Sequence, residues 1–455
     1  MSLSCFKAYD VRGRVGVDFG PDEARRIGAA LVRVTGAGSV VLGRDCRESS
    51  DAIADAVAEG VAGQGAAVLD LGLAGTEEVY FATDHAGAGA GVAVTASHNP
   101  IDWNGLKMVG PGSRPLTDPE FREVARLSDE VLPVVSVAGR QALDCRGAYA
   151  ARVAGFAGDG PFRPLTILAN AGNGVAGPAF DAILRRLDAA GVPLSVERMH
   201  WTPDGTFPNG IPNPLLPENR PATSAAVLAA GADFGLAWDG DFDRCFLFDE
   251  QGGFVDGEYV VALLARAFLA REPGATVVHD PRVIGAVTGA VADAGGRAVA
   301  SKTGHAFVKA AMRAEDAVYG GEMSAHHYFR DFMFCDSGMV PWVALVALLG
   351  RDDRPLSAHV DALRRAHPSS GEINFRVDDV PAAIARVEAA LRPEAVGEDR
   401  LDGLSLTFEG WRLNLRASNT EPVLRLNVEG AGDMEAVEAG VARVTALIRA
   451  DAPAG

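Results

Sequence analysis

The sequence predicts an α/β chain: three similar α/β domains with mixed, mostly parallel sheets, followed by a C-terminal α+β domain. Three observations carry this. Short Val/Ile/Leu-rich runs alternate with longer Ala-rich segments of helical period, the pattern of parallel strands joined by crossover helices. That order occurs three times, at intervals of about a hundred residues. The tail instead alternates apolar and polar positions, as half-exposed strands do. A length of 455 residues agrees, since it exceeds the roughly 250–300 at which one core stops growing and predicts about three domains.

In chain order, 39–43 reads as a buried strand. Ser49, Ser50 and Asp51 then cap a helix with Ile53, Val57 and Val61 on one face. Strands follow at 67–71 and 91–95. The second round runs from a strand at 165–168 through a helix near 177–189 to a strand at 233–238. The third runs from 275–279 through 285–294 to 317–319. The tail has strands at 372–376, 404–408, 412–416 and 423–427. A closing helix carries Met434, Val437, Val441, Val444 and Ile448. A polar stretch at 364–371 is read as the linker, and the domains as 1–143, 144–253, 254–366 and 367–455.

Composition narrows the function. Hydrophobic residues make up 48% and charged residues 22%, an ordinary globular balance. Lys+Arg total 42 against 60 Asp+Glu, a net charge of −18, which disfavours nucleic-acid backbones and anionic membranes as partners. An anionic substrate would need a few cations converging against that field. Cys5, Cys46, Cys145, Cys245 and Cys335 are scattered, without a C-x-x-C pair, and read as reduced thiols. No signal-peptide core opens the chain, and the apolar stretch at 339–349 is short of the ~20 residues a membrane helix needs, so a cytoplasmic protein is expected.

Four loops carry candidate chemistry. Thr95-Ala-Ser97-His98-Asn99-Pro100 follows a strand, where ligands of parallel sheets bind. Ser97 is a candidate nucleophile with Arg12 and Lys107 to hold anionic oxygens; an ordinary Ser-containing turn closed by Asn-Pro is the alternative. Asp239-Gly-Asp241-Phe-Asp243-Arg244 sets three carboxylates at alternate positions after a strand, a hard oxygen set for Mg²⁺ or Ca²⁺. An EF-hand is excluded, because Arg244 stands where that loop needs Gly and 245–248 reads as a strand. Glu322-Met-Ser324-Ala-His326-His327 offers groups suited to sugar hydroxyls, or a satisfied polar turn; the His pair lacks further metal ligands. Arg416-Ala-Ser418-Asn419-Thr420 between two tail strands suits a phosphate, or a plain hairpin.

A fifth feature points to another class. The strand at 165–168 leads into Gly172-x-Gly174-x-x-Gly177 and a helix, and Glu197 is expected to end the next strand. That is the dinucleotide-binding spacing, so a nicotinamide (NAD-dependent) oxidoreductase is a rival reading. It leaves the Ser97, triple-Asp and Arg416 loops without a role.

Taken together and in this order, the loops resemble the α-D-phosphohexomutase family, specifically its bacterial phosphomannomutase branch. Lys7-Ala-Tyr9-Asp-Val-Arg12-Gly13 is similar to the family's opening motif. The 95–100 loop resembles its phosphoserine loop, 239–244 its metal loop, 321–326 its sugar loop and 416–420 its phosphate loop. The resemblance implies four domains around one cleft, a phosphorylated Ser97, and a hexose 1,6-bisphosphate intermediate that also serves as activator. It implies Mg²⁺ on Asp239, Asp241 and Asp243 together with Ser97, assisted by Arg12, Lys107 and Arg244. His98 or His305 would move protons. Tyr9, Glu322, Ser324, His326, Arg416, Ser418, Asn419, Thr420 and Arg425 would bind a hexose phosphate. Met323 between Glu322 and Ser324 resembles the mannose/glucose branch, which implies interconversion of mannose 6-phosphate and mannose 1-phosphate, or a bispecific enzyme. Ala325 departs from the pattern, in which many relatives carry Gly. A phosphatase and a silent sugar-phosphate binder are the remaining rivals.

Overall fold

A computed structural model describes residues 3–7, 9–417 and 423–450. The chain packs as two compact units. One comprises the residues up to Phe254 plus His326–Pro355, the other Val255–Ala325 plus the residues from Leu356 on.

In the first unit, one sheet runs in the spatial order Val11–Arg14, Trp103–Val109, Ala90–Val94, Ser39–Arg44, Ala67–Leu73, Arg140–Ala142. Its centre is parallel, with Ser39–Arg44 between Ala67–Leu73 and Ala90–Val94; Trp103–Val109 returns antiparallel. The core beneath it includes Ile27, Leu31, Val40, Leu42, Ile53, Val57, Val92 and Leu106. The central strand Ala90–Val94 is buried along its whole length, as a strand covered by helices on both faces must be. A second sheet orders Cys245–Asp249, Phe234–Trp238, Leu165–Asn170 and Leu194–Met199; the first pair is antiparallel and the others parallel. The same unit holds the antiparallel pair His327–Phe329 and Cys335–Asp336 and the buried helix Val340–Leu349.

The second unit contains the parallel strands Arg297–Ala300, Thr276–His279 and Tyr319–Gly321. It also contains an antiparallel sheet in the order Ser369–Phe375, Leu424–Gly430, Trp411–Ala417, Leu404–Thr407, Gly397–Asp399. One face of that sheet is covered by the helices Val380–Leu391 and Met434–Arg449, which bury Val387, Val437, Val444 and Ile448 against Leu413, Leu415 and Leu426. Mixed, mostly parallel sheets followed by an α+β tail are the predicted fold class.

Three local expectations need correction. Ser49 does not cap the helix Ser50–Gly63 with its side chain; the hydroxyls of Ser49 and Ser50 instead accept from Asn104 Nδ2, at 2.8 and 3.0 Å. The expected linker at 364–371 is mostly regular, because the helix Leu356–Ala366 continues into it and the strand Ser369–Phe375 starts within it. The expected strand at 317–319 lies two residues later, at Tyr319–Gly321. Among the described residues no helix is long and apolar enough to cross a membrane.

Candidate active site

The first unit assembles its site from the carboxyl ends of two buried strands. After Ala90–Val94 the chain turns sharply, and Ser97 adopts the left-handed region at φ 48°. Such a conformation costs a β-carbon-bearing residue about 1 kcal/mol and persists only where neighbours hold it. They do so here. Thr95 Oγ1 accepts the Ser97 N–H at 2.9 Å, and the buried Arg47 guanidinium donates to the carbonyls of Ser97, Asn99, Pro100 and Trp103 at 2.7–3.1 Å.

After Phe234–Trp238, Asp239, Asp241 and Asp243 are at most 3% exposed. Their loop lies directly on the serine turn: a β-carbon at Gly240 would stand 2.7 Å from the Ser97 carbonyl oxygen. Ser97 Oγ donates to Asp239 Oδ2 at 2.6 Å and lies 3.0 Å from His98 Nδ1. Asp241 Oδ2 accepts from Thr76 Oγ1 and from Lys107 Nζ, both at 2.7 Å, and Lys107 also contacts Asp243 Oδ2. Asp241 Oδ1 and Asp243 Oδ1 are buried with no hydrogen-bond partner among the described residues.

Electrostatics follow from this crowding. Burial, then the charges of Asp243 and Asp241, pushes the Asp239 carboxyl up to about 8. Burial acts on Asp243 too, but Lys107 and Arg244 outweigh it and hold that carboxyl well below the usual range. Asp241 is likewise lowered, against burial and Asp243, by Lys107 and Arg12. Burial, reinforced by Arg244 and Arg12, keeps His98 neutral.

Three buried carboxylates, each offering an oxygen within 4.8 Å of the others, and two of them with an unpartnered oxygen, fit a hard divalent cation. Asp239, Asp241 and Asp243 would hold it, with Ser97 Oγ next to it. Asp243, His326 and Asp336 form a second close group that shares Asp243, but its imidazole makes it the less hard donor set.

Around the triad, Arg12 donates to Asp10 at 3.0 Å and to Asn99 Oδ1 at 3.1 Å, and Tyr9 is half-buried beside Asp10. Arg244 Nε lies 3.2 Å from His326 Nε2 and 3.6 Å from Asp239, so His326 belongs to this group. A clamp lies below the loop. Fully buried Glu77 accepts from Tyr149, from Ser337 at 2.9 Å, and from the N–H groups of Gly338 and Met339. A β-carbon at Gly338 would stand 2.3 Å from the Phe242 carbonyl oxygen, so Glu77 fixes the floor on which the aspartate loop rests.

The second unit gathers the other predicted groups. Arg282, just past the strand Thr276–His279, binds Asp280 at 2.7 Å and lies 3.9 Å from Glu322 and 3.5 Å from Ser324 Oγ. Glu322 Oε1 accepts the N–H of Gly304, and His305 begins the next helix. Arg416 and Arg425 each approach Glu372 at 3.1 Å. Ser97 and His98 thus share one unit, while His305 lies in the other. Ser418, Asn419 and Thr420 lie outside the described residues.

Arg47, Thr76, Glu77, Arg282 and Glu372 escaped sequence reasoning. Arg47 and Arg282 carried a usable signal, an arginine three residues past a buried strand. Glu77 carried none, because its partners are remote in the chain.

The dinucleotide reading is overturned. The missing β-carbon of Gly174 makes room for the Gly240 carbonyl oxygen, which would be 2.7 Å from it, and Val175 N–H donates to that same oxygen at 3.1 Å. The turn that would receive a pyrophosphate is therefore filled by the aspartate loop. Glu197 is exposed in the middle of Leu194–Met199, not at its end.

Comparison with known proteins identifies the family. Over residues 4–132, 157–253 and 256–366 the chain matches alpha/beta/alpha domains I, II and III of phosphoglucomutase/phosphomannomutase, and over 372–447 their C-terminal domain. It is 52% identical to a phosphomannomutase of Salmonella typhimurium, covering 98% of this chain and 99% of that one. It is 49% identical to a Xanthomonas campestris protein named for phosphohexose mutases, covering 99% and 100%. Among solved structures, a phosphoglucomutase/phosphomannomutase family protein from Burkholderia thailandensis superposes with a TM-score of 0.87 at 31% identity, covering 100% of this chain and 99% of that one. The chain belongs to the phosphoglucomutase/phosphomannomutase family, a family of phosphohexomutase isomerases.

Proposed function

We propose that this enzyme interconverts mannose 6-phosphate and mannose 1-phosphate, with phosphorylated Ser97 as phosphoryl donor and acceptor and a hexose 1,6-bisphosphate as intermediate. The observation that carries the reading is the 2.6 Å contact of Ser97 Oγ with Asp239, inside a buried triad that has two unpartnered oxygens. The phosphomannomutase names of full-length relatives support the sugar.

Mg²⁺ on the three aspartates would supply charge neutralisation for the transferring phosphoryl oxygens. Lys107 and Arg12 flank the same place as fixed cations. In the forward step the sugar hydroxyl oxygen bonds to phosphorus as the bond to Ser97 Oγ breaks, and the hydroxyl proton ends on Ser97 Oγ. His98, neutral and 3.0 Å from Ser97 Oγ, is the group in place to pass that proton. The bisphosphate then returns its other phosphoryl to Ser97 after reversing its orientation. In the second unit Glu322 and Ser324 take sugar hydroxyls and Arg416 and Arg425 the phosphate that is not reacting.

The test is phosphorus NMR on mannose 1-phosphate with Mg²⁺ and a catalytic amount of glucose 1,6-bisphosphate, alongside peptide mass analysis of Ser97. Mannose 6-phosphate with little free phosphate, and one phosphate on the Ser97 peptide, is expected. Release of inorganic phosphate as the main product would make the enzyme a phosphatase instead. Running glucose 1-phosphate in parallel decides between a mannose-directed and a bispecific enzyme, the broader reading that the Xanthomonas relative's name favours.

A further inference from the structure

The C-terminal sheet sets Arg416 directly opposite Arg425 on the paired strands Trp411–Ala417 and Leu424–Gly430. Like charges facing each other across neighbouring strands repel, so this pair needs an anion. Glu372, on the edge strand Ser369–Phe375, provides one: its carboxylate lies 3.1 Å from Arg416, 3.1 Å from Arg425 and 3.6 Å from Arg282. One carboxylate thus touches three guanidinium groups and is the close anion shared by Arg416 and Arg425, while Arg282 also pairs with Asp280 at 2.7 Å. The pairing is incomplete, because Arg282 Nε and Arg416 Nε have no hydrogen-bond partner among the described residues although both side chains belong to residues only 4% exposed. Burial, then the neighbouring Arg282, pulls Arg416 below the usual arginine range, against the opposing charges of Glu372 and Asp402. Orphaned donors of this kind suit a ligand with more charge and more acceptor oxygens than a carboxylate, namely a phosphate dianion.

We propose that Glu372 is a built-in counter-anion for these arginines, displaced when the phosphate of a hexose phosphate arrives. The proposal rests on the assignment of Arg416 and Arg425 to phosphate made above. Glu372 keeps the arginines together in the free enzyme, and its side chain, 21% exposed, has water to swing into. Its chemical consequence is weaker phosphate binding than the arginines alone would give. That suits a reaction whose doubly charged intermediate has to let go and rebind in the opposite sense, since binding that stabilises it without the transition state slows turnover.

The sign of one substitution tests this. Glu372→Gln keeps the shape and removes the charge. By calorimetry, inorganic phosphate should bind the variant about tenfold more tightly than the wild type, the size of effect expected for one half-exposed charge pair. Adding Arg416→Ala should abolish the gain, which places it at this cluster. KM for mannose 1-phosphate should fall in Glu372→Gln without a matching rise in kcat. If Glu372 merely orients the arginines, phosphate affinity falls and KM rises; that outcome, or no change, overturns the proposal. Should Glu372→Gln fail to melt cooperatively, Glu372→Ser replaces it with the same expected direction. Wild-type turnover is read separately: an inactive wild type sinks the mutase reading, while the phosphate titration still judges the counter-anion.

Discussion

Replacing Glu77 by Gln should leave the fold intact and remove a defined part of its pH dependence. Burial pushes this carboxyl from 4.5 up to about 8, against the hydrogen bonds from Tyr149, Ser337, Gly338 and Met339. The folded value is above the unfolded one, so the folded chain keeps a proton that the unfolded chain gives up. That stabilising contribution is complete below about pH 4.5 and is lost as pH rises through about 8. Between about pH 5.5 and 7.5 linkage gives a loss of about 2.5 kcal/mol from this one group. Glutamine cannot titrate, and its geometry fits. Its carbonyl oxygen can accept the two backbone N–H groups that Oε2 accepts, and its amide can donate to Tyr149 Oη, while Ser337 Oγ keeps the Met339 and Val340 N–H groups it already accepts. Urea unfolding of the metal-free protein across this pH range is the assay. The wild-type stability minus that of Glu77→Gln should decline by about 2.5 kcal/mol toward neutral pH. Parallel curves would refute the protonated, buried carboxyl. Glu77→Leu should instead cost about 2–5 kcal/mol, because it strands the buried Gly338 N–H and two hydroxyls at about 1–3 kcal/mol each, while the Met339 N–H keeps Ser337 Oγ. It should also raise the Mg²⁺ concentration needed for half-maximal activity, since Gly338 supports the aspartate loop.

Ser97→Ala should abolish mutase turnover while thermal melting stays within a few degrees, about what loss of one buried hydrogen bond implies; turnover near the wild-type rate would remove Ser97 from the chemistry. Asp241→Asn should raise the Mg²⁺ concentration needed for half-maximal activity and lower kcat together, as an Mg²⁺ titration of initial rates will show, because an anionic group with an unpartnered oxygen becomes a neutral amide. Arg416→Ala should mainly raise KM for mannose 1-phosphate with kcat changed far less, the signature of a phosphate held equally in ground and transition states. Ala325→Gly should stabilise the second unit by up to about 1 kcal/mol in urea unfolding, because Ala325 is buried at φ 68°, where only Gly is unstrained. That φ also explains physically why Gly suits this position in the family pattern.

The sites most legible in the sequence were loops that follow a buried strand. Ser97 and the three aspartates were readable because a strand of apolar residues ends just before each, and because their chemistry is contained in a few consecutive positions. The alternation of strand and helix was readable for the same local reason, with end errors as at Tyr319–Gly321; the helix Pro21–Thr35 and the antiparallel strand Trp103–Val109 were not anticipated, and the expected linker at 364–371 proved regular. The dinucleotide spacing left a rival open because glycine marks a close approach without saying what approaches; at Gly174 it is the Gly240 carbonyl oxygen.

What the sequence determined by itself was which residues could bear charge, bend the chain or carry a phosphoryl group, since these are properties of side chains and short patterns. Only the tertiary structure decided which of them meet. Arg47 under the serine turn, Glu77 under the aspartate loop and Glu372 among three arginines are ordinary charged residues until folding buries them. Burial strips away water and makes each depend on partners distant in the chain, and that dependence has no signature in any local stretch of sequence.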